Sequence, residues 1–263
     1  MNNKKLSGEV YLPSEEVINN STIKDWNELN KEAEADYEGF WSELAEKLHW
    51  FQKWNKVIDD SNKPFYKWFT GAKTNIVYNC LDVHVKTHRR NKLALIWEGE
   101  NGESKTMSYY ALHRETCKFA NVLKSLGVKK GDRVTIYMGR TPEIIMAMLA
   151  CARIGAIHSV VYGGFSVESL AERIEDSDSR VLIVSDGAYQ RGKIVPLKQI
   201  ADEALQRCGT VEHVLVVKRT GQEINMEQGR DMWLHELMNL PIATQNCALE
   251  VMDSENPIFI LYT

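Results

Sequence analysis

Near the start of the chain, apolar positions recur every three or four residues through Ile23, Trp26, Leu29, Ala33, Tyr37, Trp41, Leu44 and Leu48. That spacing predicts an amphipathic helical stripe. Ser21 and Thr22 are its N-cap candidates, and a break is expected near Gly39. Six of the seven tryptophans lie in the first 97 residues. Residues 1–75 therefore read as a helical, Trp-rich N-terminal extension packed onto a main domain. The stripe reads as a buried contact face. A base-stacking platform would interleave Arg and Lys, whereas the neighbours here are mostly Glu and Asp.

The pattern changes near Leu93, and residues 76–263 read as an α/β domain. Leu93 to Trp97 is strand-like, and Asn101-Gly102 is a hairpin turn leading to Lys105-Thr106-Met107. Ser108 caps a helix carrying Leu112, Phe119, Leu123 and Leu126 that stops at Gly127. After a short strand over Arg133 to Met138, Thr141-Pro142-Glu143 supplies cap, first-turn proline and first-turn acid for a helix through Arg153. Further strands are expected at His158–Tyr162, Arg180–Ser185, His213–Val217 and Pro257–Tyr262, with helices after Ser166 and Pro196. Short apolar strands alternating with helices imply a mostly parallel sheet with helices on both faces.

Composition narrows the function. Lys and Arg number 32 against 36 Asp and Glu, a net charge of −4, so the clustered basic charge that drives nucleic-acid binding is missing. The longest uncharged apolar run, Ile144 to Ala152, is far short of a membrane span. Met1 to Val10 lacks the apolar stretch of a secretory leader. The five cysteines are scattered, with no C-x-x-C pair, which predicts reduced thiols in a cytoplasmic protein rather than a disulfide framework or a zinc site.

Two loops are chemically distinctive. Tyr162-Gly163-Gly164-Phe165-Ser166 follows a strand directly. It is either a plain tight turn or a place where a ligand approaches the backbone and meets the N–H groups of a helix start. Ser185 to Lys193 places Arg191 and Lys193 around Gly192. That loop is either an ordinary solvated one or a clamp for a terminal phosphate. Both follow strands, where open α/β sheets bind ligands. G-x-G-x-x-G after a strand, G-x-x-x-x-G-K-[ST], G-x-S-x-G and H-E-x-x-H do not occur. His84 and His88 are four apart, but no third metal ligand is identifiable and no metal site is assigned. From the residues alone, the chain reads as an anion-binding α/β domain without an identifiable catalytic apparatus.

Several stretches together resemble AMP-forming acetyl-CoA synthetases. They are Trp68-Phe69-Thr70-Gly71 through Asn75, Tyr78-Asn79-Cys80-Leu81-Asp82, Leu123 through Val134, and above all Ala147 through Phe165, with its Arg153-Ile154-Gly155-Ala156-Ile157-His158 core. The likeness runs from about Trp26 to Thr263 and is specific for synthetases of short acids, less so for acetate over propionate. It implies that the chain is part of the large N-terminal domain of an adenylate-forming enzyme. The family converts acetate and ATP to acetyl-AMP and pyrophosphate, after which the CoA thiol takes the acetyl group and releases AMP.

By the same resemblance, Gln190-Arg191-Gly192-Lys193 matches the loop holding the nucleotide end of CoA with its 3′-phosphate, and Tyr162, Gly163 and Gly164 match the turn against the adenine. The family has a basic residue at both ends of that loop. Here the first is Gln190 with Arg191 beside it, which shifts or weakens the phosphate grip. The ATP phosphate loop, magnesium ligands and catalytic lysine are expected in the same polypeptide beyond Thr263, so no catalytic residue is assigned within this chain. Three readings follow: the N-terminal portion of an acetate–CoA or propionate–CoA ligase, inactive alone; a stand-alone CoA- or nucleotide-binding module; and a structural fragment that associates through an unpaired sheet edge.

Overall fold

The computed structural model describes residues 13–262; the reading of Met1 to Val10 lies outside them. They form two compact units, one ending at Leu48 and one beginning at His49.

The first unit holds three helices: α1 (Glu15–Asn20), α2 (Trp26–Ala35) and α3 (Tyr37–Glu46). The cap of the stripe-bearing segment is Asp25, not Ser21 or Thr22: its carboxylate accepts from the amides of Asn27 and Glu28. The break falls at Asp36 rather than Gly39. Asp36 leaves the helical region at φ −143° and ψ 82° and caps α3 by accepting from Gly39 N at 2.9 Å. A Cβ on Gly39 would lie 2.1 Å from that carboxylate, so the glycine serves the cap. Among the described residues of α1–α3, Ala45 is the buried one. A periodic stripe states which side of a helix is apolar, not what covers it.

The second unit starts with strands, so the helical part stops well short of residue 75. Strands β1 (Lys56–Asp59) and β2 (Lys67–Thr70) form an antiparallel hairpin, and β3 (Lys73–Thr74) pairs with β13 (Met252–Asp253). A π-helical turn, Tyr78–Asp82, runs into the single turn α4 (Val83–Val85). β4 (Leu93–Glu98) and β5 (Ser104–Ser108) form the expected hairpin, with Gly102 at φ 78°. Ser108 then caps α5 (Tyr109–Ser125) through Ala111 N at 3.1 Å.

The alternation continues as β6 (Arg133–Met138), α6 (Pro142–Arg153), β7 (Ile157–Tyr162), α7 (Val167–Ser177) and β8 (Val181–Ser185). Next come the short strands β9 (Ala188–Gln190) and β10 (Lys193–Val195), α8 (Leu197–Leu205), β11 (His213–Val217), β12 (Asp231–Trp233), α9 (Leu234–Leu237) and β14 (Phe259–Ile260). Thr141 holds the N-cap position of α6, but its hydroxyl makes no capping bond. The expected strand over Pro257–Tyr262 shrinks to the two residues of β14 at a sheet edge, and β12 has no counterpart in the sequence reading.

Six strands form one parallel sheet in the order β12-β11-β8-β6-β7-β14. Alternate side chains feed two cores. Val134, Ile136, Ile183 and Leu215 pack with α5 and α6, whereas Tyr137, Leu182, Val184, Val214 and Val216 pack with α7 and α8. Each such buried Leu, Ile or Val contributes about 1.5–3 kcal/mol over leaving it exposed. Near-continuous apolar strands are what a doubly covered parallel sheet needs. The chain steps from β6 to β7 on one side, then crosses to β8 on the other side of β6. That reversal opens a crevice at the carboxyl ends of these strands.

Candidate functional site

A cavity of about 620 Å³ lies at this reversal. Its floor is made by the ends of the central strands, Met138, Val160 and Val161, and by Gly139 and Gly163. Its walls are the end of the β4–β5 hairpin, Trp97 through Glu100, together with Tyr162, Tyr189, Gln190 and Arg219. Gly139 lets two backbones approach, since a Cβ there would meet the Ala188 Cβ at 2.9 Å.

Of the seven residues singled out from the sequence, Tyr162, Gly163 and Gln190 line the cavity. The two loops meet where Gln190 Nε2 donates to the Tyr162 hydroxyl at 3.0 Å. Gly164 does not line the cavity. A Cβ on it would lie 2.4 Å from the Tyr162 ring, so this glycine lets the ring fold back over its own turn. The turn is held from beneath by the buried Tyr137, whose hydroxyl donates to Phe165 O at 3.0 Å. Arg173 stacks on the Phe165 ring at 4.6 Å.

Arg191, Gly192 and Lys193 stand just outside the cavity, at the tip of the β9–β10 hairpin. The segment expected as an irregular polar loop is this hairpin. Gln190 pairs with Lys193, and the two residues between, Arg191 at φ 52° and Gly192 at φ 73°, are both left-handed. Two positive φ values across a two-residue turn match the right-handed twist of the flanking strands. Arg191 bears the strain of a side chain in that region, about 1–2 kcal/mol. Both basic side chains are exposed, and among the described residues neither has an ion-pair partner. The Gly192 amide donates to Glu100 Oε1 at 2.6 Å.

The sequence reading missed Arg219 and the residue that places it. Asp186, fully buried directly after β8, accepts from the amides of Gly187 (2.7 Å), Arg219 (2.8 Å), Thr220 (2.9 Å) and Gly221 (2.7 Å). One carboxylate thus binds the loop after β11 to the end of its neighbour β8. Arg219 then projects between two rings, 5.2 Å from Trp97 and 4.8 Å from Tyr189, and its guanidinium pairs with Glu103. The hydrogen bond from Arg219 holds the Glu103 carboxyl below its usual range. A polar residue just past each of two strand ends was the available signal, but using it requires knowing that the strands are neighbours.

A second polar cluster lies away from the cleft, where the π-helical turn meets α5 and α6. Arg153 donates to both Asp82 oxygens (2.8 and 3.1 Å) and to Cys247 O (2.9 and 2.8 Å). His113 Nε2 stands 3.3 Å from Asp82, with the Cys117 sulfur 3.8 Å away. Burial pushes the Asp82 carboxyl up, but the His113 and Arg153 hydrogen bonds outweigh it and leave it below the ordinary range. Asp82, then Cys117, raise His113 to about 9.

His84 packs its ring on Tyr109 at 4.7 Å and, through burial and then the Arg89 charge, titrates below its usual value. Among the described residues no group of three or more His, Cys, Asp and Glu could hold a metal, and no helix is long and apolar enough to cross a membrane. All five cysteines are free thiols.

Comparison with known proteins gives two family matches. Residues 26–80 match the acetyl-coenzyme A synthetase N-terminus, and residues 81–263 match the AMP-binding enzyme family. An acetyl-coenzyme A synthetase from Rubrobacter xylanophilus is 50% identical over 264 residues, covering 100% of this chain and 40% of that protein. One from Chlorobaculum tepidum is 48% identical over 92% of this chain and 36% of its own length. One from Campylobacter jejuni is 49% identical over 97% and 39%. The chain therefore spans 36–40% of the length of these relatives. With a match that runs through the whole parallel sheet and its cleft, from residue 81 to residue 263, the chain belongs to the AMP-binding enzyme family.

Proposed function

We propose that this chain is the N-terminal portion of an acetate–CoA ligase and that its cleft and hairpin tip receive the nucleotide end of CoA. The observation that carries the reading is the meeting of the two loops: Gln190 bonds Tyr162 across the cleft, beside a hairpin that presents Arg191 and Lys193, which have no ion-pair partner among the described residues. An adenine ring fits the Tyr162–Gly163–Gly164 turn, where the aromatic face and the absent Cβ atoms permit stacking. The 3′-phosphate fits the hairpin tip, where two cations flank an outward amide. This part of the molecule binds and orients. The full ligase joins acetate to AMP with release of pyrophosphate, and the CoA thiol then displaces AMP. ATP and Mg²⁺ handling and the catalytic lysine belong to the greater part of the relatives' length, which this chain does not span, and a cytoplasmic location accords with this role. The same residues suit propionate–CoA ligation, because nothing assigned here touches the acyl group.

The test is calorimetric titration of the chain with CoA and with dephospho-CoA. CoA binds more tightly, and Arg191→Ala weakens CoA relative to dephospho-CoA by about 1–3 kcal/mol, the range for a charge-assisted bond. Equal affinity for the two ligands in the unmodified chain overturns the assignment of the phosphate to this hairpin.

A further inference from the structure

Gly192 occupies the second central position of the hairpin turn, so its amide lies outside the β9–β10 ladder, whose closing pair is Gln190 with Lys193. The acceptor it finds is remote: Oε1 of Glu100, 92 residues away in sequence, at 2.6 Å. Glu100 stands at the exposed turn of the β4–β5 hairpin. That turn does not need this contact. It is closed by its own backbone, with Gly99 N donating to Glu103 O at 2.7 Å and Gly102 N to Gly99 O at 3.0 Å. Nor is the contact needed to keep the hairpin beside the cleft, because Trp97 Nε1 donates to Arg140 O at 2.7 Å and Glu103 pairs with Arg219.

A carboxylate thus sits on an amide outside the ladder, between two cations that have no ion pair among the described residues. A carboxylate oxygen and a phosphate oxygen accept from an N–H in the same way, and a single N–H at 2.6 Å from one leaves no room for the other. We infer that Glu100 is a specificity-determining residue of this site: it acts as an internal anion that a phosphate-bearing ligand displaces from the Gly192 amide. The natural ligand rests on the CoA reading above, while the competition at the amide concerns any phosphate. Glu100 opposes phosphate twice, by occupying its donor and by like charge once displaced. A ligand lacking that phosphate leaves the Glu100–Gly192 bond intact and is indifferent to it.

Glu100→Gln keeps the shape and an acceptor oxygen but removes the charge; Glu100→Ala removes both. Affinities for CoA and dephospho-CoA are measured calorimetrically on each. Independently, the Gly192 amide is followed by ¹⁵N–¹H correlation spectra during titration with inorganic phosphate. The expected result is CoA binding tightened by about three- to tenfold, the scale of one exposed charged hydrogen bond, with dephospho-CoA changed by less than about twofold. Inorganic phosphate then moves the Gly192 amide at correspondingly lower concentration. Unchanged or weaker CoA binding in both variants, with the amide no more responsive to phosphate, overturns the inference. Should CoA and dephospho-CoA bind alike while phosphate reaches Gly192 more readily in Glu100→Gln, the CoA reading fails and the role of Glu100 stands.

Discussion

Two arginine–carboxylate clusters in this molecule use similar parts to opposite ends. Around Asp82, Arg153 is 5% exposed and spends its donors on one carboxylate and one carbonyl, while His113 completes the carboxylate's partners. Around the cleft, Arg219 is 16% exposed against a 45% exposed Glu103, and Arg191 and Lys193 beside it have no ion pair among the described residues. The first cluster is saturated and closed; the second keeps spare donors facing water. Charge that is fully paired in the interior has nothing left to offer a ligand and acts through stability. Charge left partly unpaired at strand ends is available for recognition.

The largest effect expected from this contrast is on the closed side. Asp82→Ala leaves Arg153 buried without its counter-charge and lowers unfolding free energy by about 3–5 kcal/mol in urea denaturation. Glu103→Ala, at the cleft, leaves the midpoint within error because its carboxylate is already in solvent. A loss of comparable size at both positions would erase the distinction between the two clusters.

Titration sharpens it next. His113, raised from 6.5 to about 9, contributes stability that is fully present below pH 6.5 and is lost as pH rises through 9. His158, whose Nδ1 has no partner in the core, is lowered by burial to about 4. The unfolded chain then binds the extra proton between pH 6.5 and 4, and stability falls as the pH drops through that window. Each limb amounts to about 1–3 kcal/mol after allowance for partial solvent access. His113→Asn flattens only the alkaline limb of a stability–pH profile, and His158→Phe flattens only the acid limb.

The smallest effect on stability falls at the hairpin tip. Arg191→Gly relieves the left-handed strain but frees the unfolded chain, so stability changes by no more than about 1 kcal/mol in either direction. The same substitution lowers the preference for CoA over dephospho-CoA. A large loss of stability with that preference intact would move Arg191 from the binding side of the comparison to the structural side.

Much of the framework was legible because its causes are local. Ser108 before α5, Pro142 at the start of α6 and Gly127 after the helix are read by their own neighbours. Runs such as Val181–Ser185 are apolar on both faces, which predicts burial on both sides. The weak spots were also local: Asp25 and Asp36 cap because each stands directly before the first helical residue, whereas Ser21 lies four residues upstream of Asp25 and turns its hydroxyl to Ile23 O. β12, of three residues, carries too little pattern to be read as a strand.

By itself, the sequence determined that strands and helices alternate, that the strands are parallel and doubly covered, and that two chemically distinctive loops follow strand ends. The tertiary structure alone decided the strand order, and with it everything that depends on neighbours. It placed β8 against both β6 and β11, so that Asp186 could hold Arg219 over the cleft. It joined Asp82 to Arg153 across 71 residues and Glu100 to Gly192 across 92. The reason is physical: caps and turns are set by dihedral angles and hydrogen bonds within a few residues. Which distant acceptor a free amide or guanidinium meets depends instead on how the sheet faces bury their apolar surface.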